Sequence, residues 1–302
     1  MLPTIGAIRP WADPHVVSLG RLDMRAPTVA FDSVERARST DPASNPASVW
    51  RRPLGGRWDF RLFDTPDEVT AAAIERPPGA RSWTKVNVPG NWTLQGVDDH
   101  PQYTNVRMPF DGPPPRLPDR NPTGVYRRQV TVPARWSGRQ VVIHIGGAES
   151  VHAVYVNGQF VGYGTDSRLA SEYDVTAHVR SGSNDVAIVV IRWSAHSYVE
   201  DQDQWWMAGL HREVYLEART PINLTSLVCD AGVRDTTGTL EVGATVGGLQ
   251  PPAAGWQVRF GLETVRGRRV ARSVTSDVPH SFSAPYLFSG HRATARFEVV
   301  DV

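Results

Sequence analysis

The run Ala153-Val154-Tyr155-Val156-Asn157-Gly158-Gln159-Phe160-Val161-Gly162-Tyr163 decides the fold. Two β-favouring apolar segments stand either side of Asn-Gly, the dipeptide that best accepts the positive φ angles of a two-residue turn, so the stretch reads as a β-hairpin. Working outward, Trp58–Phe63 alternates apolar and polar residues in the manner of a half-buried strand, and further strands are expected at Tyr126–Val132, Val141–Ile145, Asp185–Trp193 and Glu213–Ala218. The 26 glycines and 24 prolines among 302 residues supply frequent turns, and no segment carries a convincing amphipathic-helix pattern. Short strands punctuated in this way build antiparallel sandwiches or jelly-rolls.

Upstream of this region Pro3, Pro10, Pro14, Pro27, Pro42 and Pro46 interrupt any period, so residues 1–50 are expected to form an extended arm. Residues 51–220 then make a jelly-roll domain, with a boundary at Thr220-Pro221. Beyond it, strands are expected at Leu224–Arg234, Thr239–Val246, Trp256–Glu263, Arg269–Val274 and Ala293–Val302. An immunoglobulin-like sandwich uses about seven strands, so residues 221–302 read as such a domain, incomplete at its C-terminus. The fold class is therefore all-β: a jelly-roll sandwich followed by a truncated immunoglobulin-like sandwich.

Lys+Arg 32 against Asp+Glu 31 leaves a formal charge of +1, with no block of five like charges. Neither a nucleic-acid partner nor a polybasic membrane surface is indicated, and no apolar run approaches the ~18 residues of a membrane span. The N-terminus, Met1 to Pro10, lacks the basic start and apolar core of a secretory leader, so a cytoplasmic location is expected. Cys229, the single cysteine, has no intramolecular disulfide partner, and its context Leu227-Val228-Cys229 suggests a packing role.

No nucleophile elbow, zinc-protease helix, phosphate loop or dinucleotide fingerprint occurs. What stands out is Glu200-Asp201-Gln202-Asp203-Gln204-Trp205-Trp206. Carboxylates accept hydrogen bonds from sugar hydroxyls while indoles cover the apolar faces of a pyranose ring, and clustered oxygens also suit a hard cation. From composition alone, the simpler reading of this run is a solvated acidic loop packed on structural tryptophans. A second candidate, Pro101-Gln102-Tyr103-Thr104-Asn105-Val106 after Pro89-Gly90-Asn91-Trp92, could also bind sugar, or its asparagine could simply cap a turn. His100, His152, His178, His196 and His211 show no metal-ligand spacing.

Six motifs in one order carry a resemblance. They are Pro89-Gly90-Asn91-Trp92, Tyr103-Thr104-Asn105-Val106, Asn121-Pro122-Thr123-Gly124-Val125-Tyr126, Asn157–Tyr163, Asp166-Ser167-Arg168-Leu169, and Arg192-Trp193-Ser194 running on to Glu200–Trp205. Together they resemble the N-terminal part of family 2 glycoside hydrolases of the large bacterial β-galactosidase type, with weaker similarity across the arm and the second sandwich. The resemblance implies a galactose-binding-like jelly-roll, an immunoglobulin-like domain, and a (β/α)₈ barrel, beyond Val302, that holds the two catalytic glutamates. It implies that no catalytic residue lies in this chain, that Asn105 and Asp203 bind the galactosyl group of a β-galactoside, and that Asp203 also ligates a sodium ion. For the full-length protein it implies a homo-oligomer and a magnesium ion held through the barrel.

The sequence departs from the family pattern at Gln204, where the best-known members carry methionine, and this bears on preference for the leaving group. Ala195 replaces an acidic ligand of a peripheral magnesium, and Pro10 and Asp13 do not reproduce its partners, so that magnesium is not carried over. Two function classes stand at this point: the N-terminal portion of a retaining β-galactosidase, which alone would be inactive, and a free-standing carbohydrate-binding β-sandwich.

Overall fold

The computed structural model describes residues 2, 8–40, 48–75, 83–105, 107–280 and 291–300. Among them, helix is confined to α1 (Val34–Ser39), α2 (Ala71–Glu75) and single 3-10 turns. Two compact units form, one from residues up to Ala218, the other from Arg219 onward together with Arg25–Val29 and Gly138–Gln140.

The first unit contains β1 (Ser18–Leu19), β2 (Arg51–Pro53), β3 (Gly56–Phe63), β4 (Thr84–Val88), β5 (Gly90–Asn91), β6 (Gln102–Thr104), β7 (Thr123–Val132) and β8 (Gln140–Ile145). It continues with β9 (Val151–Val156), β10 (Gln159–Gly164), β11 (Ser171–Asp174), β12 (Gly182–Ile191), β13 (Gln204–Trp206), β14 (Gly209–Leu210) and β15 (Val214–Arg219). A seven-stranded sheet in the order β1-β10-β9-β12-β7-β3-β4 faces a four-stranded sheet, β11-β8-β15-β2. The hairpin around Asn157-Gly158 is β9–β10, paired at Val156↔Gln159. Asn157 and Gly158 adopt φ 51 and φ 80, the two left-handed residues that a turn matching strand twist requires.

The core between the sheets comes from the inward positions of the alternating strands, including Trp58, Phe60, Tyr126, Ile143, Tyr173, Ile188 and Leu216. Phe60 and Tyr126 meet edge to face at 4.8 Å between centroids, the arrangement that aromatic quadrupoles favour. Gly124 has to be small here, because a Cβ on it would lie 2.6 Å from the Phe60 ring. On the opposite face of the seven-stranded sheet, Phe63, Val125, Tyr155 and Val189 pack with Trp11 of the arm and Ile74 of α2. This second cluster is what converts both faces of β7, β9 and β12 into buried surface.

His152 on β9 is buried and shares a 2.9 Å hydrogen bond with the Tyr173 hydroxyl. Burial, with the nearby Arg21 charge adding to it, lowers its pKa from 6.5 to about 3. A native pKa below the unfolded one means the group contributes stability above pH ~6.5 that is lost as pH falls toward the native value. Chemical denaturation of the 302-residue chain between pH 7 and pH 4 is therefore expected to show a component of up to about 1.4 kcal/mol per pH unit that disappears in His152→Phe. Equal pH slopes for the two proteins would contradict this assignment.

The second unit holds β16 (Ile222–Arg234), β17 (Thr237–Gly248), β18 (Gln257–Phe260), β19 (Val274–Asp277) and β20 (Arg292–Val300). They form a three-stranded sheet, β16-β17-β20, and a β18-β19 pair, around Val242, Ala244, Val246, Phe260, Val278, Ala293, Ala295 and Phe297. The architecture is an all-β jelly-roll followed by an immunoglobulin-like sandwich. Two sequence expectations fail in this unit. Arg269 makes only an isolated bridge with Glu263, and the strand expected to end at Val274 begins there. Cys229 is exposed rather than packed, because from Val228 to Arg234 β16 is exposed, with only β17 beside it among the described residues. Residues 301–302, the end of the last expected strand, lie outside the described residues.

Candidate functional site

The two sequence candidates meet in one small ribbon. Strands β6 and β13 pair antiparallel with Gln204↔Thr104, Trp205↔Tyr103 and Trp206↔Gln102. Asn105 and Asp203 each lie one residue beyond the paired segment, at the same end of the ribbon. The period of two of an extended chain separates the paired residues into an outer side with Tyr103 and Trp205 and an inner side with Gln102, Thr104, Gln204 and Trp206. Burial follows this division in part. Tyr103 is 52% and Trp205 56% exposed, whereas Trp206 is buried, and Asn105 and Asp203 are exposed. Val106, the last residue of the first motif, lies outside the described residues.

On the outer side the Tyr103 hydroxyl donates to Asp203 Oδ1 at 2.5 Å. That bond, first among the causes, raises the tyrosine pKa, since losing the phenolic proton would set two anions against each other. The Tyr103 and Trp205 rings lie 5.6 Å apart at 48°. A carboxylate and two exposed rings thus share one surface, with Asn105 exposed at the same end of the ribbon; such groups can grip the hydroxyls and cover the apolar face of a sugar. For a hard cation, the described residues contain no group of three His, Cys, Asp or Glu side chains that could hold one. The donor chemistry of Asp203 fits one oxygen ligand, with the other ligands supplied from elsewhere.

The inner side anchors the ribbon. Trp206 Nε1 donates to Thr104 Oγ1 at 2.6 Å, and its ring packs edge to face on Trp193 at 5.4 Å. The Gln204 side chain does not line the outer surface: its Oε1 accepts from Arg168 at 3.1 Å and its Nε2 donates to the Glu200 carbonyl at 3.2 Å. Glu200 is turned inward, accepting from the Ser167 amide at 2.7 Å and the Ser167 hydroxyl at 2.5 Å. Only Asp203, of the Glu200–Asp203 run, is tied to the aromatic pair. Asp201 is half-buried.

Two further groups around the ribbon were not singled out from the sequence as site residues. Glu149 accepts from Arg168 at 3.0 Å and from the Met207 amide at 3.0 Å. Burial raises its pKa, and the Arg168 charge opposes that rise. Asp99, also buried, accepts from Trp92 Nε1 at 2.8 Å and from Arg192. Little in the local sequence marks either residue, because their arginine partners lie 19 and 93 positions away in the chain.

Comparison with known proteins gives this geometry a context. The family described as "Glycosyl hydrolases family 2, sugar binding domain" matches residues 51–221. A β-galactosidase of Psychromonas ingrahamii is 38% identical over 219 residues, 72% of this chain and 21% of that protein. One from Vibrio vulnificus is 35% identical over 269 residues, 87% of this chain and 25% of that protein. The chain thus spans between a fifth and a quarter of the length of these curated relatives. Among solved structures, a Bifidobacterium dentium β-glucuronidase complexed with coumarin-3-O-glucuronide aligns with TM-score 0.63 at 19% identity, covering 85% of this chain and 43% of that one. Bacteroides uniformis β-glucuronidase 2 aligns with TM-score 0.61 at 20% identity, covering 83% and 28%. At that identity the structural matches speak to fold alone. With the family's sugar-binding domain matched over residues 51–221, more than half of its length, the chain belongs to glycosyl hydrolase family 2.

Proposed function

We propose that this chain is the N-terminal portion of a retaining β-galactosidase, acting on terminal non-reducing β-D-galactose residues, and that Asn105 and Asp203 bind the galactosyl group. The observation that carries the proposal is the meeting of Asn105 and Asp203 at one end of the β6–β13 ribbon, beside exposed Tyr103 and Trp205. The β-galactosidases among its sequence relatives support the choice of sugar.

In this reading the ribbon positions substrate and the chemistry belongs to residues beyond Val302. A retaining glycosidase uses two carboxyl groups about 5 to 5.5 Å apart, one as acid/base and one as nucleophile. Asp203 is neither. Its Oδ1 already accepts from Tyr103, which fixes the carboxylate's orientation and leaves Oδ2 for a sugar hydroxyl or a cation. Sodium, when bound, would supply a fixed positive charge against which the hydroxyls of the ring are ordered. Asn105 offers both a donor and an acceptor to the same ring. Holding the sugar in one orientation lowers the entropic part of the barrier. The Gln204 amide, held by Arg168 and Glu200, would act on the leaving group only indirectly.

The 302-residue chain alone is expected to hydrolyse no chromogenic β-galactoside above background, while the full-length protein hydrolyses it readily. Turnover by the purified 302-residue chain, free of host enzyme, would overturn the division of labour. The rival reading, a free-standing sugar-binding module, requires instead that no hydrolase activity accompany the full-length protein.

A further inference from the structure

We propose that Arg192 is a positioning residue that holds the β6–β13 ribbon in register and so sets the direction of Asp203; this rests on the functional reading above. Arg192 follows the last residue of β12, one of the central strands of the seven-stranded sheet. Its side chain is 3% exposed, and among the described residues the four acceptors of its guanidinium belong to the ribbon or to the segment leading into it. Nη1 donates to Asp99. Nη2 lies 2.9 Å from the His100 carbonyl, 3.3 Å from the Trp206 carbonyl and 3.4 Å from Gln102 Oε1. Gln102 and Trp206 are cross-strand partners, so one guanidinium reaches both strands at the same rung.

The rung two residues further along holds Thr104 and Gln204, immediately before Asn105 and Asp203. A rotation or slip of either strand would therefore move Asn105 and Asp203 relative to each other. A two-stranded ribbon is marginal by itself, so it needs an anchor of this kind. Asp99 completes the device: it is 4% exposed, and Trp92 fixes its second oxygen at 2.8 Å. The planar fork of arginine is essential, since a lysine ammonium can keep the ion pair with Asp99 but cannot also reach the Trp206 carbonyl on β13 together with the His100 carbonyl and the Gln102 side chain on the facing segment. The β12–β7 and β12–β9 ladders do not use these bonds, since backbone groups close them over Gly182–Ile191 and Val186–Ile191.

Arg192→Lys in the full-length enzyme separates positioning from folding. It is expected to lower kcat/KM at least tenfold, and to speed amide exchange at 102–104 and 204–206 while Val141–Ile145 on β8 exchanges as in the parent. Asp99→Asn, which keeps the shape and removes the charge, is expected to act in the same direction. The decisive arm is the cycle with Asp203→Ala: in that background Arg192→Lys should lower kcat/KM less than twofold further, because the group it aims has been removed. Unchanged kcat/KM and ribbon exchange in Arg192→Lys would overturn the proposal, and so would fully multiplicative losses in the double variant, which indicate a role in general structure. If Asp203→Ala alone leaves kcat/KM unchanged, the functional reading fails and the positioning role with it, and the separate exchange data then report only whether Arg192 holds the ribbon.

Discussion

Trp58→Ala is expected to destabilise the first unit by about 3 to 5 kcal/mol, the range for emptying a buried tryptophan site. The indole is fully buried between the two sheets and stands edge-on to Tyr126 at 6.5 Å. Its Nε1 donates to the Leu54 carbonyl at 2.7 Å, yet that carbonyl also accepts from Arg128 at 2.6 Å. The carbonyl therefore keeps a partner after the substitution, and the cost comes from the cavity and the lost apolar contact. Against the 5 to 15 kcal/mol typical of a domain, a loss of this size moves the denaturation midpoint far toward water. Trp205→Ala is the internal comparison: at 56% exposure it should change stability by no more than about 0.5 kcal/mol. Circular dichroism of the 302-residue chain across a denaturant series distinguishes them, and a Trp58→Ala cost below about 1 kcal/mol would contradict the packing described.

That contrast shows what a sequence can and cannot carry. The strands of the jelly-roll are legible because alternation is local: Trp58, Phe60 and Leu62 occupy one side of β3 whatever the rest of the chain does. The β9–β10 hairpin is legible for the same reason, since Asn157 and Gly158 specify their own backbone geometry. The ten tryptophans, by contrast, look alike in sequence. Trp205 and Trp206 are neighbours, yet one faces out and the other is sealed against Trp193, and only the pairing of β13 with β6 decides which.

The acidic run shows the same limit from the polar side. Glu200, Asp201 and Asp203 read as one cluster, but Glu200 is drawn away by Ser167, a residue 33 positions earlier. Tyr103, which holds Asp203, is 100 positions distant. Arg192 and Asp99 are separated by 93, so nothing in either local context marks them as partners. Cys229 fails in a different way. Its strand is real, but alternation presumes a layer to bury one face, and from Val228 to Arg234 β16 stays exposed among the described residues. The resemblance implied a single site for Asn105 and Asp203, where the residues taken alone favoured a solvated loop and a capped turn.

The measurement that bears most directly on the central claim is kcat/KM for a chromogenic β-galactoside, as a function of sodium concentration, in the full-length enzyme and its Asp203→Ala variant. Asp203 is exposed and its one hydrogen bond among the described residues is to exposed Tyr103, so the substitution should leave the fold intact, which a thermal midpoint within about 2 °C of the parent would verify. A hydrogen bond to a charged group contributes about 1.5 to 3 kcal/mol, so kcat/KM should fall at least about tenfold, with the sodium dependence flattened. Asp201→Ala, half-buried and without a tie to the aromatic pair, should fall less than threefold. An Asp203→Ala enzyme that keeps both the parental kcat/KM and the parental sodium dependence would contradict the placement of this ribbon in the galactosyl site.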